Sequence, residues 1–521
     1  MVRKPTTFEV SAALFSAFAR GTIAVFLLAA LLSCGHSMPS NTVTMLIESS
    51  PNNLDARIGT DGQSERICEL IFDTLVQRDE HFNLRPFLAE SWETPNPTTY
   101  IFHLHHGVFF HNGQELTSRD VQWTFDSLRN GSLITSKTST YAALDHIDSP
   151  DPYTVIFHLK QPDATLLWNL ADGAIGIVPY GSGRDFGLHP VGSGPFELVS
   201  MRQDENVILR RNSKYWQSPP SVENVVFKVV PDTTTRALEL RKGSADVAIN
   251  ALPADMVLSL RKDSHLKIEQ ADGTIFAYLG LNLRDPILKD IQVRQAIAFA
   301  VNREPIIRFL WRDTVRPAPS ILPPQSWAFT SDVETHPYDP EHAAQLLEAA
   351  GYHVQSDGYR LHLTMKTSSE ETSRLLASIL QQQLRAAGIR LEIRSYESAT
   401  FYADIVRGAF QIFTLRWIGG NEDPDIFEAV FASSSFPPHR SNRGYYSNPE
   451  VDRLIAEGRA ETDQQKRRAI YIRIQQIVAH DLPYINLWYF DNVLVHGPRI
   501  KDVPLNPSGN YDFLKTVELN R

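Results

Sequence analysis

An amphipathic run over 373–387, with Leu375, Ile379, Leu380 and Leu384 on one face, stops at Gly388 and passes at once into Ile389-Arg390-Leu391-Glu392-Ile393. A helix joined to a strand by a single glycine is half of a parallel-sheet unit, because parallel strands are reached only through a crossover. This spacing sets the class of the C-terminal half as α/β. The alternation continues with a helix opened by Asn448-Pro449 and carrying Val451, Leu454 and Ile455. A second helix spans 464–481 with Ile470, Ile474 and Ile477, and a buried strand follows at 483–490.

One stretch inside this half is the candidate site. The strand-like run 410–417 ends in Trp417, breaks at Gly419-Gly420 and continues as an acidic turn through Glu422, Asp423 and Asp425. Paired glycines let another group approach the backbone closely. A large aromatic followed by carboxylates is a plausible wall for a polar ligand.

The N-terminal half reads as strand at 43–47, loop from Pro51, a helix capped by Ser64 with Ile67, Leu70, Ile71 and Leu75 inward, and then a β-rich block. Strands are expected at 99–104 and 153–159, with a second strand and a turn over 106–113 and a Thr117–Asp120 capping box opening a helix. Cys68 lies on an apolar helical pattern and reads as a buried, inert thiol. Upstream, Arg3, Lys4 and Arg20 flank an uncharged apolar run over 21–33 that suits an export signal and is short for a membrane span. It ends Leu31-Leu32-Ser33-Cys34-Gly35, which resembles a bacterial lipobox. Residues 1–33 are then a signal peptide, Cys34 the lipidated anchor and 34–40 a tether.

Composition excludes several classes. A net charge of −10 over 521 residues argues against nucleic acid as a partner, and two cysteines exclude a disulfide scaffold. No nucleophile elbow, P-loop or His-Glu-x-x-His motif is present, so no enzyme is indicated and no cofactor is expected. Gly192-x-Gly194-Pro195 reads as a tight structural turn, since Pro195 removes an N–H that a phosphate cradle needs. His103 and His105 share one face of a strand, with His106 on the other. They read as sheet surface, and no metal is assigned to them.

Several segments together resemble family 5 of the bacterial extracellular solute-binding proteins. They are Phe87–Trp92, Tyr100–Gly113, Leu116–Val121, Val191–Phe196, Asn212–Trp216, Asp290–Arg303 and Tyr338–Gly351. In the last, Asp339 is a helix cap, Pro340 the first helical residue and Gly351 the stop. The resemblance covers essentially all of the chain after the anchor. It implies a two-lobed periplasmic-binding-protein fold of the cluster C type, with an extra β-rich subdomain at about 78–190. The first lobe comprises 41–277 plus 486–521, and the second 278–485. The chain is expected to cross near 279–282 and near 486–488.

The implied function is capture of a peptide or other small solute between the lobes and its delivery to the permease of an ABC importer, by a lipid-anchored, extracytoplasmic monomer. The residues implied at the ligand are Asn53, Tyr278, Lys366, Thr367, Trp417, Gly419, Gly420, Glu422, Asp423 and Tyr445. Peptide-binding members carry an amine-reading Asp three residues after the Trp, where this chain has Gly420. The Arg that reads the α-carboxylate in dipeptide binders corresponds to Thr367, beside Lys366. Either Glu422 or Asp423 reaches back to an amine, or the ligand lacks a simple free amino terminus. Nickel chelates, oligosaccharides, and a receptor or chaperone role without transport stand as alternatives.

Overall fold

Among the described residues, two mixed sheets, a four-stranded antiparallel sheet and a two-stranded one, Val76–Arg78 with Leu84–Pro86, organise the protein. The structure, a computed structural model, describes residues 41–171, 173, 175–419, 422–501 and 503–520. The signal segment, Cys34, the tether, Gly420 and Asn421 lie outside the described residues. From Val43 onward the chain forms one compact unit. Among the described residues, no helix is long and apolar enough to cross a membrane.

The first sheet has seven strands in the order Lys267–Ala271, Asn492–His496, Val247–Ile249, Thr42–Ile47, Asn224–Val229, Asn206–Arg211 and Phe196–Arg202. Its central strand, Thr42–Ile47, is buried along its whole length. The second sheet has six, in the order Val315–Pro317, Tyr484–Phe490, Phe276–Leu281, Ile412–Trp417, Leu361–Ser368 and Ile389–Tyr396. Leu361–Ser368 runs parallel to both of its neighbours. The expected unit is present here: the helix Glu371–Ala386 returns through Gly388, at φ 81°, into Ile389–Tyr396.

Local chemistry sets most helix ends as the sequence indicates. Asp339 accepts from the His342 backbone N–H, Pro340 opens its helix and Gly351 takes φ 87°. Asn448 caps Pro449–Ala460, and Thr117 with Asp120 forms the capping box of Ser118–Arg129. Cys68 is buried, and burial pushes its thiol pKa upward. Two details differ from expectation. Asp61, rather than Ser64, caps the helix Gly62–Ile71, and its carboxylate accepts from the Ser64 N–H. Residues 106–113 form turns with one isolated bridge, Phe109 to Glu115, rather than a strand.

The four-stranded sheet, ordered Ala89–Asn96, Thr99–Leu104, Thr154–Leu159 and Leu144–Asp151, packs the helix Ser118–Arg129 over its own core. Asp73 joins this block to the seven-stranded sheet. Its buried carboxylate accepts from Ser193 Oγ at 2.9 Å, Tyr215 Oη at 3.1 Å and Trp216 Nε1 at 3.0 Å. The Gly192–Gly194 turn is tight as expected: a Cβ on Gly192 would lie 1.8 Å from the Ile71 carbonyl oxygen.

The lobe crossings are displaced from their expected places. Phe276–Leu281 and Tyr484–Phe490 both belong wholly to the second sheet, so the chain crosses at 272–275 and at Asp491. Each expected crossing falls inside a buried strand of that sheet, where its backbone is committed to neighbouring strands. Arg316 ties the two true crossings together. It donates to Asp491 Oδ1 at 2.6 Å and to the Gly273 carbonyl at 3.2 Å, and pairs with Asp272 at 2.8 Å.

Replacing Asp73 with Ala strands two buried donors, Ser193 and Tyr215, and the half-buried indole N–H of Trp216. We expect Asp73→Ala to lower the unfolding free energy by about 2–4 kcal/mol. Denaturant titration checks this, and a loss below about 0.5 kcal/mol would remove Asp73 from its structural role.

Candidate functional site

The parallel strands Leu361–Ser368 and Ile412–Trp417 pair only at Met365–Ile412 and Lys366–Phe413, and then diverge. Thr414–Trp417 therefore keeps one paired edge, against Phe276–Leu281, and one free edge. A cavity of about 500 Å³ occupies the divergence. Ser368, Glu370, Thr372, Thr414, Arg416, Ile418 and Tyr402 line it, with Trp311, Trp488 and Phe490 as apolar walls. A crevice outside the carboxyl ends of parallel strands is where open α/β sheets bind ligands.

Register places this crevice at the lobe boundary. Trp417 lies opposite Phe276, the first strand residue after the 272–275 crossing. The loop leaving Trp417 ends against the first lobe, where Glu422 lies 3.8 Å from Arg78 and accepts from Thr274 Oγ1 at 3.3 Å. The lobes meet again beyond it: Ala164 N donates to the Arg459 carbonyl at 2.9 Å, and Trp168 stacks on Trp327 at 5.9 Å.

One guanidinium, Arg416, lines the crevice, and a second, Arg443, lies beside Trp417 and reaches the lining residue Tyr402. Arg416 lies 4.2 Å from the Phe490 ring centroid and 5.3 Å from that of Trp311. Arg443 donates to Tyr402 Oη at 3.1 Å and Tyr278 Oη at 3.5 Å, and lies 5.7 Å from the Trp417 ring centroid. Among the described residues, no carboxylate lies within 4.0 Å of either guanidinium. The nearest acid lining the cavity, Glu370, caps the helix Glu371–Ala386 by accepting from the Thr372 and Ser373 N–H groups. Burial pushes its carboxyl up, but the Ser373 and Thr372 hydrogen bonds outweigh this and its pKa is lowered. The Glu370 carboxylate already occupies this helix end, so Arg416 is the group in the cavity that suits an anionic ligand.

The residues expected at the ligand divide sharply. Trp417 and Gly419 stand at the end of the free-edged strand, Trp417 half-buried and Gly419 exposed at φ 70°. Trp417 packs on the sheet face opposite the cavity-lining Arg416, within an aromatic cluster. Gly420 lies outside the described residues. The acidic turn points inward: Asp423 faces Arg467 at 3.3 Å, Asp425 faces Arg459 at 2.9 Å, and Glu422 faces Arg78. Glu422 and Asp423 therefore do not reach back into the crevice, because each buried carboxylate is held by a cation elsewhere in the fold.

Tyr278 is fully buried, stacked on Tyr484 at 4.0 Å, and is core. Lys366 is held by Asp404 at 2.6 Å, and Lys366 with Arg407 keeps that carboxyl below the usual range. Thr367 is buried with a hydroxyl lacking a partner among the described residues. Tyr445, at φ 56°, lies under Arg284 at 3.3 Å. Asn53 orders its own loop, accepting from the Asp55 N–H at 2.8 Å, and lines a separate cavity of about 900 Å³ in the first lobe.

Sequence reasoning missed Arg416, Arg443, Tyr402 and Ser368. Arg416 carries a visible signal, a lone charge inside the apolar strand Ile412–Trp417. Arg443 carries none, since its tyrosine partners come from distant segments. The three expected histidines separate: His103 faces Glu93 at 3.2 Å, His105 packs on Trp216 at 5.2 Å and His106 on Tyr153 at 3.7 Å.

Burial pushes the Asp425 carboxyl up to about 6, with Arg459 opposing and Asp423 and Asp163 adding to the rise. An acid with a raised folded pKa stabilises most below its ordinary value, and that contribution is lost as pH rises through the folded value. Melting temperatures of Asp425→Asn and the parent should therefore diverge in the variant's favour between about pH 4 and pH 6, then run parallel above. A pH-independent offset would show that Asp425 titrates normally.

Residues 83–436, more than half of the chain, match the family model described as bacterial extracellular solute-binding proteins, family 5, middle. The chain is 27% identical to the dipeptide-binding protein of Escherichia coli K12, covering 92% of this chain and 94% of that protein. It is 26% identical to a glutathione-binding protein of Salmonella choleraesuis, covering 93% and 96%. Among solved structures it resembles an ABC transporter-associated periplasmic binding protein of Helicobacter pylori in complex with a peptide, at 26% identity and a TM-score of 0.77, over 92% of this chain and 98% of that one. The mixed α/β lobes, the crevice at their boundary and this match place the chain in family 5 of the bacterial extracellular solute-binding proteins.

Proposed function

We propose that this protein captures a peptide or peptide-like solute carrying a carboxylate, and delivers it to the permease of an ABC importer. The observation that carries this reading is the free edge of Thr414–Trp417 beside Arg416, with Arg443 close to its lining residue Tyr402, neither guanidinium having a carboxylate partner among the described residues. An extended backbone adds to such an edge through main-chain hydrogen bonds, which favour peptides over sugars or metal chelates. Arg443 and Arg416 take the carboxylate, and Tyr402 and Trp417 hold Arg443 in place. Glu422 and Asp423 each face a cation of the protein, which speaks for a ligand feature other than a free amino terminus. The relatives named for dipeptide and glutathione binding support peptide-like cargo.

Cargo favours the closed arrangement of the lobes through contacts made only there. It leaves chemically unchanged. The protein works as a monomer outside the cytoplasm, held to the membrane by lipid on Cys34, which the Leu31–Cys34 pattern supports.

Native mass spectrometry of the purified protein should find copurifying peptides or peptide-like acids, recovered intact. A sugar or nickel chelate instead would contradict the reading. For the solute so identified, Arg443→Ala should weaken binding at least about tenfold, or about 1.4 kcal/mol. Arg443→Lys should restore part of that loss, because it keeps the charge without the planar fork. Equal affinity in all three proteins would remove Arg443 from the site.

A further inference from the structure

The outer face of the four-stranded sheet carries a second constellation, on a different sheet from the solute crevice. In the antiparallel hairpin of Leu144–Asp151 and Thr154–Leu159, His146 lies directly opposite His158. The register shifts between Leu144 and His146, so one strand holds an extra residue there. This bulge turns both Asp145 and His146 outward while Leu144 and Ile147 stay in the core. Bulges of this kind re-aim side chains, and they concentrate beside functional sites. Strand alternation brings Asp148 and His158 to the same outer face.

The side chains converge. The two imidazoles stack with centroids 4.2 Å apart and planes 11° from parallel. Asp148 Oδ2 is 3.2 Å from His158 Nε2 and 3.9 Å from His146 Nε2. One ligand atom from each of these three residues lies within 4.8 Å of the others. Asp145 Oδ2 is 2.8 Å from His146 Nδ1, which sets that ring's tautomer: Nδ1 carries the proton and Nε2 keeps its lone pair toward Asp148.

We propose that His146, His158 and Asp148 form a binding site for one borderline divalent transition-metal ion such as Zn²⁺. Tetrahedral ligands on bonds of about 2.1 Å stand about 3.4 Å apart, and the observed 3.2 and 3.9 Å from Asp148 bracket that spacing; because the rings stack nearly parallel and a ligating lone pair lies in its ring plane, both exposed rings turn about their side-chain bonds to meet the ion. Two imidazoles and one carboxylate suit zinc or nickel and disfavour calcium and magnesium, which take oxygen ligands. Water completes the fourth position. His158 Nε2 must present a lone pair to the ion, so the proton it shares with Asp148 leaves, and its Nδ1 keeps the ring's remaining proton. Where Nε2 alone is protonated, this is a tautomer shift with no net release. Where the ring is an imidazolium, one proton goes to solvent. With ligands from two adjacent strands, the ion pins the edge strand to its neighbour.

The test uses the untagged, chelator-treated full chain and Zn²⁺ titrated against a chromophoric competitor. One equivalent should bind. His146→Ala and His158→Ala should each lower the affinity at least tenfold, Asp148→Asn less, and His103→Ala on the same sheet not at all. Because the three ligands sit on the outer face, circular dichroism should show these variants folded. Failure to bind any Zn²⁺, or equal binding by the His146→Ala/His158→Ala double variant, would overturn the site. The outcome is independent of the crevice, since solute binding is read separately with the metal removed.

Discussion

Both passages of the chain between the lobes run past one guanidinium. Arg316 holds Asp272 and the Gly273 carbonyl on the outgoing crossing and Asp491 on the returning one. The two segments approach so closely that a Cβ on Gly273 would lie 2.3 Å from the Phe490 carbonyl oxygen. Gln270 adds a further tie, donating to Asp491 Oδ2 at 2.7 Å. Two sheets joined by a narrow, laterally braced pair of strands can change their mutual angle with few bonds broken, which is what a hinge requires. The bonds of the bracing residues bundle the crossings, while the cores of the two lobes remain separate clusters.

The solute crevice inherits its position from that hinge. Phe276 is the first strand residue after the outgoing crossing, and its partner across the ladder is Trp417. The strand that ends at the hinge is the one whose outer edge is left free by the divergence of Leu361–Ser368. Main-chain groups on that edge, Arg416 over its aromatic walls and the N-terminal turn of Glu371–Ala386 thus come together beside the two crossings. Charge is partitioned between the two sides of the following loop. Its acids are buried against Arg78, Arg459 and Arg467, while Arg416 and Arg443 face no carboxylate among the described residues.

How legible this was in the sequence follows the range of the interactions. Asp339, Pro340 and Gly351 act within one helix, as do Asn448 and the Thr117–Asp120 box, and each behaves as its local chemistry dictates. The bounds 464–481 were readable for the same reason. The crossings were misplaced because strands 276–281 and 484–490 look alike on either side of a hinge, and only sheet pairing separates them. The acidic turn after Trp417 suggested an amine site because its cations lie far away in sequence, Arg78 in the first lobe and Arg467 in a later helix. Arg443 was invisible for the converse reason: its value depends on which carboxylates do not reach it. The bulge that faces His146 toward His158 is likewise a property of strand register, which residue type alone does not encode.

The central claim is that solute lies along the free edge of Thr414–Trp417. Backbone amide hydrogen exchange, followed by mass spectrometry with and without the copurified solute, addresses that edge directly. The account predicts slowed exchange across 414–418 and at the 272–275 crossing when solute is bound. Bound solute with unchanged exchange over 414–418, and protection appearing elsewhere, would contradict it.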